Sequence, residues 1–240
     1  MKQRISYDKI KVIAFDADDT LWVNETYFRD GEKKVVDLLT PYETPNNIQQ
    51  EIHKTNVGNL KIYGYGAKAF VLSMIECALK VSNHTISAAS IQKIVNVGKE
   101  LLSQPIELLD GVEETLQQLQ ERGANKYRLV VVTKGDLLDQ ERKLKASNLT
   151  KYFHHIEVVS EKGAGDYQKL VQHLDIEPHE FLMIGNSLKS DILPVLEMGA
   201  AAIHIPFHTT WAHEQVHQDV MEGKEYETLL TMSEIIPLLL

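Results

Sequence analysis

The sequence predicts an α/β protein: a doubly wound parallel sheet with a second, smaller all-helical domain inserted into it. Three observations lead there. An apolar run from Ile10 to Phe15 breaks off into carboxylates at Asp16, Asp18 and Asp19. Residues 23–105 then carry apolar side chains only at helical spacing, and from Asp110 onward short apolar strands alternate with single helices.

The first strand is rich in β-branched and aromatic residues without clean alternation, as expected of a parallel strand covered on both faces. Helical spacing follows over Glu25 to Leu39, Asn47 to Asn59, Ala67 to Val81 and Ser87 to Ser103. Breaks fall at Thr40-Pro41, Thr44-Pro45, Gly64 to Gly66 and Ser82-Asn83, so this block reads as an all-helical insertion. A helix from Gly111 to Arg122 closes at Gly123, a C′ glycine. Strands are then expected at Tyr127 to Val132, Ile156 to Ser160, Phe181 to Ile184 and Ala201 to Ile205. Helices at Leu137 to Ser147, Asp166 to Leu174 and Ser190 to Met198 separate them. Such alternation implies right-handed crossovers and helices on both faces of a parallel sheet. The core domain is thus residues 1–22 and 106–240, interrupted by 23–105. Phe207 to Lys224, with His208, Trp211, His213 and His217, reads as a surface loop or irregular helix, and the final Ile-Ile-Pro-Leu-Leu-Leu as a segment docked on the core.

A chain of 240 residues with 43% hydrophobic content can bury a proper core. Its net charge of −9 argues against nucleic acid or an anionic membrane as the main partner, while leaving room for a local anion pocket. The single cysteine, Cys77, rules out an internal disulfide, fits a reducing cytoplasm and lies in an apolar helical pattern that assigns it to core packing. Met1 to Lys11 has no apolar stretch long enough for a signal peptide, and no stretch approaches membrane-spanning length. A cytoplasmic protein is expected; nothing in the sequence sets its oligomeric state.

Three acids within four residues at the end of a buried strand repel one another and are costly to desolvate unless a cation relieves them. Asp19 or Thr20 could instead cap the next helix. Ligands of open parallel sheets bind outside the carboxyl ends of the strands. Standing there are Asp16 and Asp18, then Thr133, then Glu161 and Lys162, then Asn186 and Asp191. That collection can hold a hard cation and an anion together, and its oxygen ligands suit Mg²⁺. A nicotinamide site is disfavoured because no Gly-x-Gly-x-x-Gly follows any strand. The three late histidines lack zinc-site spacing.

These residues resemble the haloacid dehalogenase superfamily of phosphohydrolases. The resemblance rests on Asp16-Ala-Asp-Asp-Thr-Leu21, on Thr133 after a Val-rich strand, on Lys162, and on Gly185-Asn-Ser-x-x-x-Asp191. It implies a Rossmann-like core with 23–105 as a helical cap, and phosphatase activity on a small phosphorylated metabolite. Asp16 would be the nucleophile that forms an aspartyl-phosphate, and Asp18 the general acid and then the base. Thr133 and Lys162 would hold the phosphoryl oxygens, with Lys134, Tyr65 and Trp22 completing the substrate contacts; Lys169 is the alternative lysine. Mg²⁺ would be held by Asp16, by Asp18 through its main-chain carbonyl, and by Asn186 and Asp191. Asn186 departs from the superfamily's more usual aspartate, and a neutral ligand implies weaker metal binding. A dehalogenase would need no acid at Asp18, and a phosphonate hydrolase would need a cap lysine, for which Lys68 and Lys80 have no supporting motif. A non-catalytic phosphate- or partner-binding module is supported only by Asn186.

Overall fold

The computed structural model describes residues 7–123 and 126–240, so the first six residues of the segment read above for a leader lie outside it. The chain divides into two compact units. One comprises the chain up to Val23, Ile106–Lys134 and Arg142–Leu240; the other comprises Asn24–Pro105 and Gly135–Glu141.

Strand β1 (Val12–Phe15) is buried along its length. After it the chain enters the helical unit through α1 (Glu25–Leu39), α2 (Pro45–Tyr63), α3 (Ala67–Val81) and α4 (Ala88–Leu102). Their facing stripes form one core that includes Val35, Ile48, Phe70, Met74, Cys77 and Ile94. Phe28 meets Phe70 edge to face at 5.4 Å between centroids. Helices α3 and α4 approach closely at Gly98, where a Cβ would fall 2.1 Å from Cγ2 of Val71. Helix α2 starts two residues before its expected position, because Pro45 suits the first helical turn. It ends only where Gly64 takes a φ of 71°. Burial pushes the Cys77 thiol up to about 12, as suits a packing residue.

The chain continues with α5 (Val112–Gly123), β2 (Arg128–Lys134), α6 (Leu137–Ala146), β3 (His155–Val159), α7 (Ala164–His173) and β4 (Phe181–Gly185). It closes with α8 (Leu193–Glu197), β5 (Ala201–His204), α9 (Gln218–Met221), β6 (Glu227–Thr228) and α10 (Ile236–Leu239). The strands form a six-stranded sheet in the order β3-β2-β1-β4-β5-β6, every neighbouring pair parallel. The two-residue β6 was not anticipated.

Alternate strand residues serve two cores. Ile13, Phe15, Leu129, Val131, Leu182 and Ile184 pack with Leu116 and Leu119 of α5 and with Ile235 and Leu239 near the carboxyl terminus. Val12, Ala14, Val130, Val132 and Met183 pack with Tyr167 and Leu170 of α7 and with Val195 of α8. Burial on both sides is what a doubly wound sheet requires, and full burial of each large apolar side chain contributes about 1.5–3 kcal/mol. The terminal apolar run docks as expected, Tyr127 Oη donating to the Leu239 carbonyl at 2.8 Å. Among the described residues, no helix is long and apolar enough to cross a membrane.

Candidate active site

Parallel pairing sets Phe15 level with Val131 and Ile184, so Asp16, just beyond β1, stands beside the carboxyl-terminal parts of β2 and β4. Asp16 stays in the ladder, its N–H donating to the Ile184 carbonyl at 2.9 Å. Asp19 then takes a left-handed φ of 63°, and its N–H bonds the Trp22 carbonyl at 2.7 Å, closing a tight turn. Helix α1 begins only at Glu25, with Asn24 at its cap position, so neither Asp19 nor Thr20 caps it. Thr20 is buried and instead donates to Asp16 Oδ2 at 3.0 Å, its oxygen also lying 3.3 Å from Asn186 Oδ1.

Lys162 precedes α7 and is buried, its ammonium bonded to Asp16 Oδ1 and, at 2.7 Å, to Asp191 Oδ1. Burial opposes the charged ammonium, but Asp16 and Asp191 outweigh it and hold Lys162 well above the ordinary lysine value. Burial also pushes the Asp16 carboxyl up to about 7, Lys162 pulling it back while Asp191 and Asp18 add to the rise. Lys162 therefore offsets only part of what burial costs the Asp16 carboxylate.

Asp191 reaches Lys162 through an irregular turn. A π-type segment, Leu188–Ile192, replaces the first turn of the helix expected from Ser190, and α8 starts only at Leu193. The turn folds the carboxylate back over Gly185, where a Cβ would lie 2.3 Å from Asp191 Oδ2. That oxygen accepts the Ser187 N–H at 2.9 Å. Each Asp191 oxygen thus has a donor of its own. Asn186 is anchored by its carbonyl, which lies 3.0 Å from His204 Nε2.

Asp18 occupies a different setting. Its Oδ1 accepts from Trp22 Nε1 at 2.7 Å and from Lys143 Nζ at 2.9 Å, and Lys143 also lies 3.2 Å from Oδ2. Lys143 is buried in α6, as are Gln140 and Leu144, whereas Leu137 and Leu138 are exposed. Buried residues that mix Gln140 and Lys143 with Leu144, beside exposed leucines, give no amphipathic signal that singles out Lys143.

The strand ends therefore bring together Asp16, Asp18, Lys162, Asn186 and Asp191, with Thr133 buried at the end of the adjoining β2. Three further residues are expected to contact substrate. Trp22 is 1% exposed with its N–H on Asp18, Lys134 is ion-paired to Glu214 at 2.7 Å, and Tyr65 belongs to the helical unit. Lys169, the alternative lysine, lies exposed 3.6 Å from Asp166. Among the described residues no group of three or more His, Cys, Asp or Glu is arranged to hold a metal. Oxygens suited to a hard cation do converge, since Asp16 Oδ2 and Asn186 Oδ1 both stand within hydrogen-bonding reach of the Thr20 hydroxyl. Lys143 and Glu214 take part without having been anticipated.

Comparison with known proteins gives concordant findings. The family model of the haloacid dehalogenase-like hydrolases matches residues 10–199. A haloacid dehalogenase-like family hydrolase from Xanthomonas campestris is 36% identical with a TM-score of 0.83, over 96% of this chain and 92% of that one. The glyceraldehyde 3-phosphate phosphatase of Pyrococcus furiosus is 22% identical over 91% of this chain and 87% of its own length. The HAD-hydrolase YfnB of Bacillus subtilis, solved bound to magnesium, shares the fold at 19% identity and a TM-score of 0.61, over 96% of this chain and 98% of that one.

Proposed function

The chain belongs to the haloacid dehalogenase-like hydrolase family, and from that premise we propose that it is a Mg²⁺-dependent phosphatase of small phosphorylated metabolites, working through an aspartyl-phosphate on Asp16. The observation that carries the reading is the separation of two neighbouring carboxylates into different settings. Asp16 is buried against Lys162, while Asp18 is held apart by Lys143 and Trp22. Two acids in unlike surroundings can divide nucleophilic and proton-transfer work.

A carboxylate oxygen of Asp16 attacks phosphorus, the bond from phosphorus to the leaving oxygen breaks, and that oxygen takes the proton of Asp18. Asp18 then removes a proton from water, whose oxygen attacks the phosphorus. The bond to Asp16 breaks, and inorganic phosphate leaves. Lys162 offsets charge on the transferring group, and Thr133 offers its hydroxyl from the end of β2. Asp16 Oδ2, Asn186 Oδ1 and the Asp18 carbonyl would hold Mg²⁺, which when bound supplies the positive charge that the buried acids lack. Asp191, with Lys162 on one oxygen and Ser187 on the other, serves as a brace for that lysine.

The helical unit takes the role of a cap that selects substrate, with Tyr65 as its candidate contact. The small size of the substrate is supported by the Pyrococcus furiosus relative, a glyceraldehyde 3-phosphate phosphatase. A dehalogenase, in which Asp16 displaces halide from carbon, would leave the Asp18, Lys143 and Trp22 arrangement without a task. A screen of phosphorylated metabolites with Mg²⁺ or with EDTA tests the proposal. Turnover is expected only with metal and should vanish in Asp16→Asn; turnover that persists in that variant contradicts the reading.

A further inference from the structure

The matched family region ends at residue 199, and the chain beyond it sends an acid back among the strand-end residues. Glu214 closes a short 3-10 turn, Ala212–Glu214, in the segment between β5 and β6. Its side chain is only 13% exposed. Oε1 accepts from Lys134 Nζ at 2.7 Å, and Oε2 accepts from Ser187 Oγ at 2.6 Å and Ser190 Oγ at 2.5 Å. Lys134 completes the loop by donating to Ser190 Oγ at 2.9 Å. Burial alone would raise the Glu214 carboxyl, but the Lys134 charge and the bonds from Lys134, Ser187 and Ser190 hold it at about 2. The turn is pinned from a second side by Lys189, whose ammonium donates to the His213 carbonyl at 2.7 Å and lies 3.0 Å from His213 Nε2.

The partners of Glu214 identify what it joins. Lys134 directly follows Thr133 at the end of β2, Ser187 directly follows Asn186, and Ser190 directly precedes Asp191. One carboxylate from outside the matched family region thus ties the β2 end to both functional ends of the turn after β4. We propose that Glu214 is a positioning residue that fixes the spacing between Thr133 on one side and Asn186 and Asp191 on the other, so that phosphate and Mg²⁺ binding depend on it. The proposal rests on the phosphatase reading. It also assigns Lys134 a bracing task, leaving Lys162 as the ammonium that meets the phosphoryl group.

The test is a double-mutant cycle on the full chain, with Glu214→Gln, Lys134→Met and the two combined. Mg²⁺ alone and inorganic phosphate in its presence are titrated calorimetrically into each protein, alongside thermal unfolding. Glu214→Gln keeps an oxygen for the serines and should weaken both ligands about 10- to 100-fold, the usual range for residues that orient ligating groups. Lys134→Met should lose more, because it strands a buried carboxylate without its counter-ion. The double variant should then bind more tightly than Lys134→Met alone. Wild-type titrations in Glu214→Gln, even with a lowered unfolding midpoint, would overturn the proposal. So would a double variant whose loss is the product of the two single losses. Binding without turnover by the wild type would overturn the phosphatase reading alone, and no binding at all would overturn both.

Discussion

Within residues 24–105 the buried polar side-chain atoms among those described are hydroxyls, on Thr26, Tyr27, Ser73 and Ser82, whereas the sheet unit buries Asp16, Lys143, Lys162 and Asp191. In the helical block charge pairs stay near the surface, as with Lys80 on Glu51 at 2.6 Å and Lys34 on Glu100 at 2.5 Å. Exposed pairs of that kind contribute about 1 kcal/mol or less. Buried charges cost several kcal/mol each to desolvate and persist only where partners or ligands compensate them. The contrast puts the buried charges that the proposed chemistry uses in the sheet unit and leaves packing as the chief constraint on residues 24–105.

Lys143→Met tests the chemical side of this contrast and should have the larger effect. With its ammonium gone, Asp18 loses the cation that meets both its oxygens, while the Trp22 N–H remains. Turnover of alkyl phosphates, whose leaving oxygen needs a proton, should fall about 100-fold or more. p-Nitrophenyl phosphate, whose leaving group needs none, should still give a rapid first release of nitrophenolate in stopped flow. Equal losses for both substrates would mean that Lys143 acts as a structural prop. Met74→Ala, in the fully buried core of the helical unit, should destabilise by about 2–5 kcal/mol and lower the unfolding midpoint. The same nitrophenolate burst should survive at temperatures where the variant is folded. Loss of the burst there would blur the division between the two units.

Legibility in the sequence followed the same division. The strands with buried apolar runs, β1, β2, β4 and β5, declared themselves, as did the helical block, because burial on two faces or along one stripe leaves a periodic trace. Strand β6 left none, being two polar residues paired to β5 at the sheet edge. Asp16, Asp18, Lys162 and Asn186 were legible because polar residues at the ends of apolar strands are conspicuous. Lys143 was hidden on a helix whose apolar residues Leu137 and Leu138 face outward. Glu214 was hidden in a histidine-rich segment without periodicity, and only tertiary structure shows that its carboxylate reaches Lys134 at the end of β2 and the serines after β4. Asp19, open in the sequence as a helix cap, has a structural place instead, in a tight turn at a positive φ that aspartate tolerates.

The central claim is that Asp16 carries the phosphoryl group. Acid quenching of the enzyme during steady turnover with Mg²⁺, followed by borohydride reduction and peptide mass spectrometry, measures this directly. An aspartyl-phosphate at that position would be reduced to homoserine at residue 16 alone, and the product would be absent without substrate. An unmodified Asp16 during demonstrable turnover, or reduction at another carboxylate, would contradict the account.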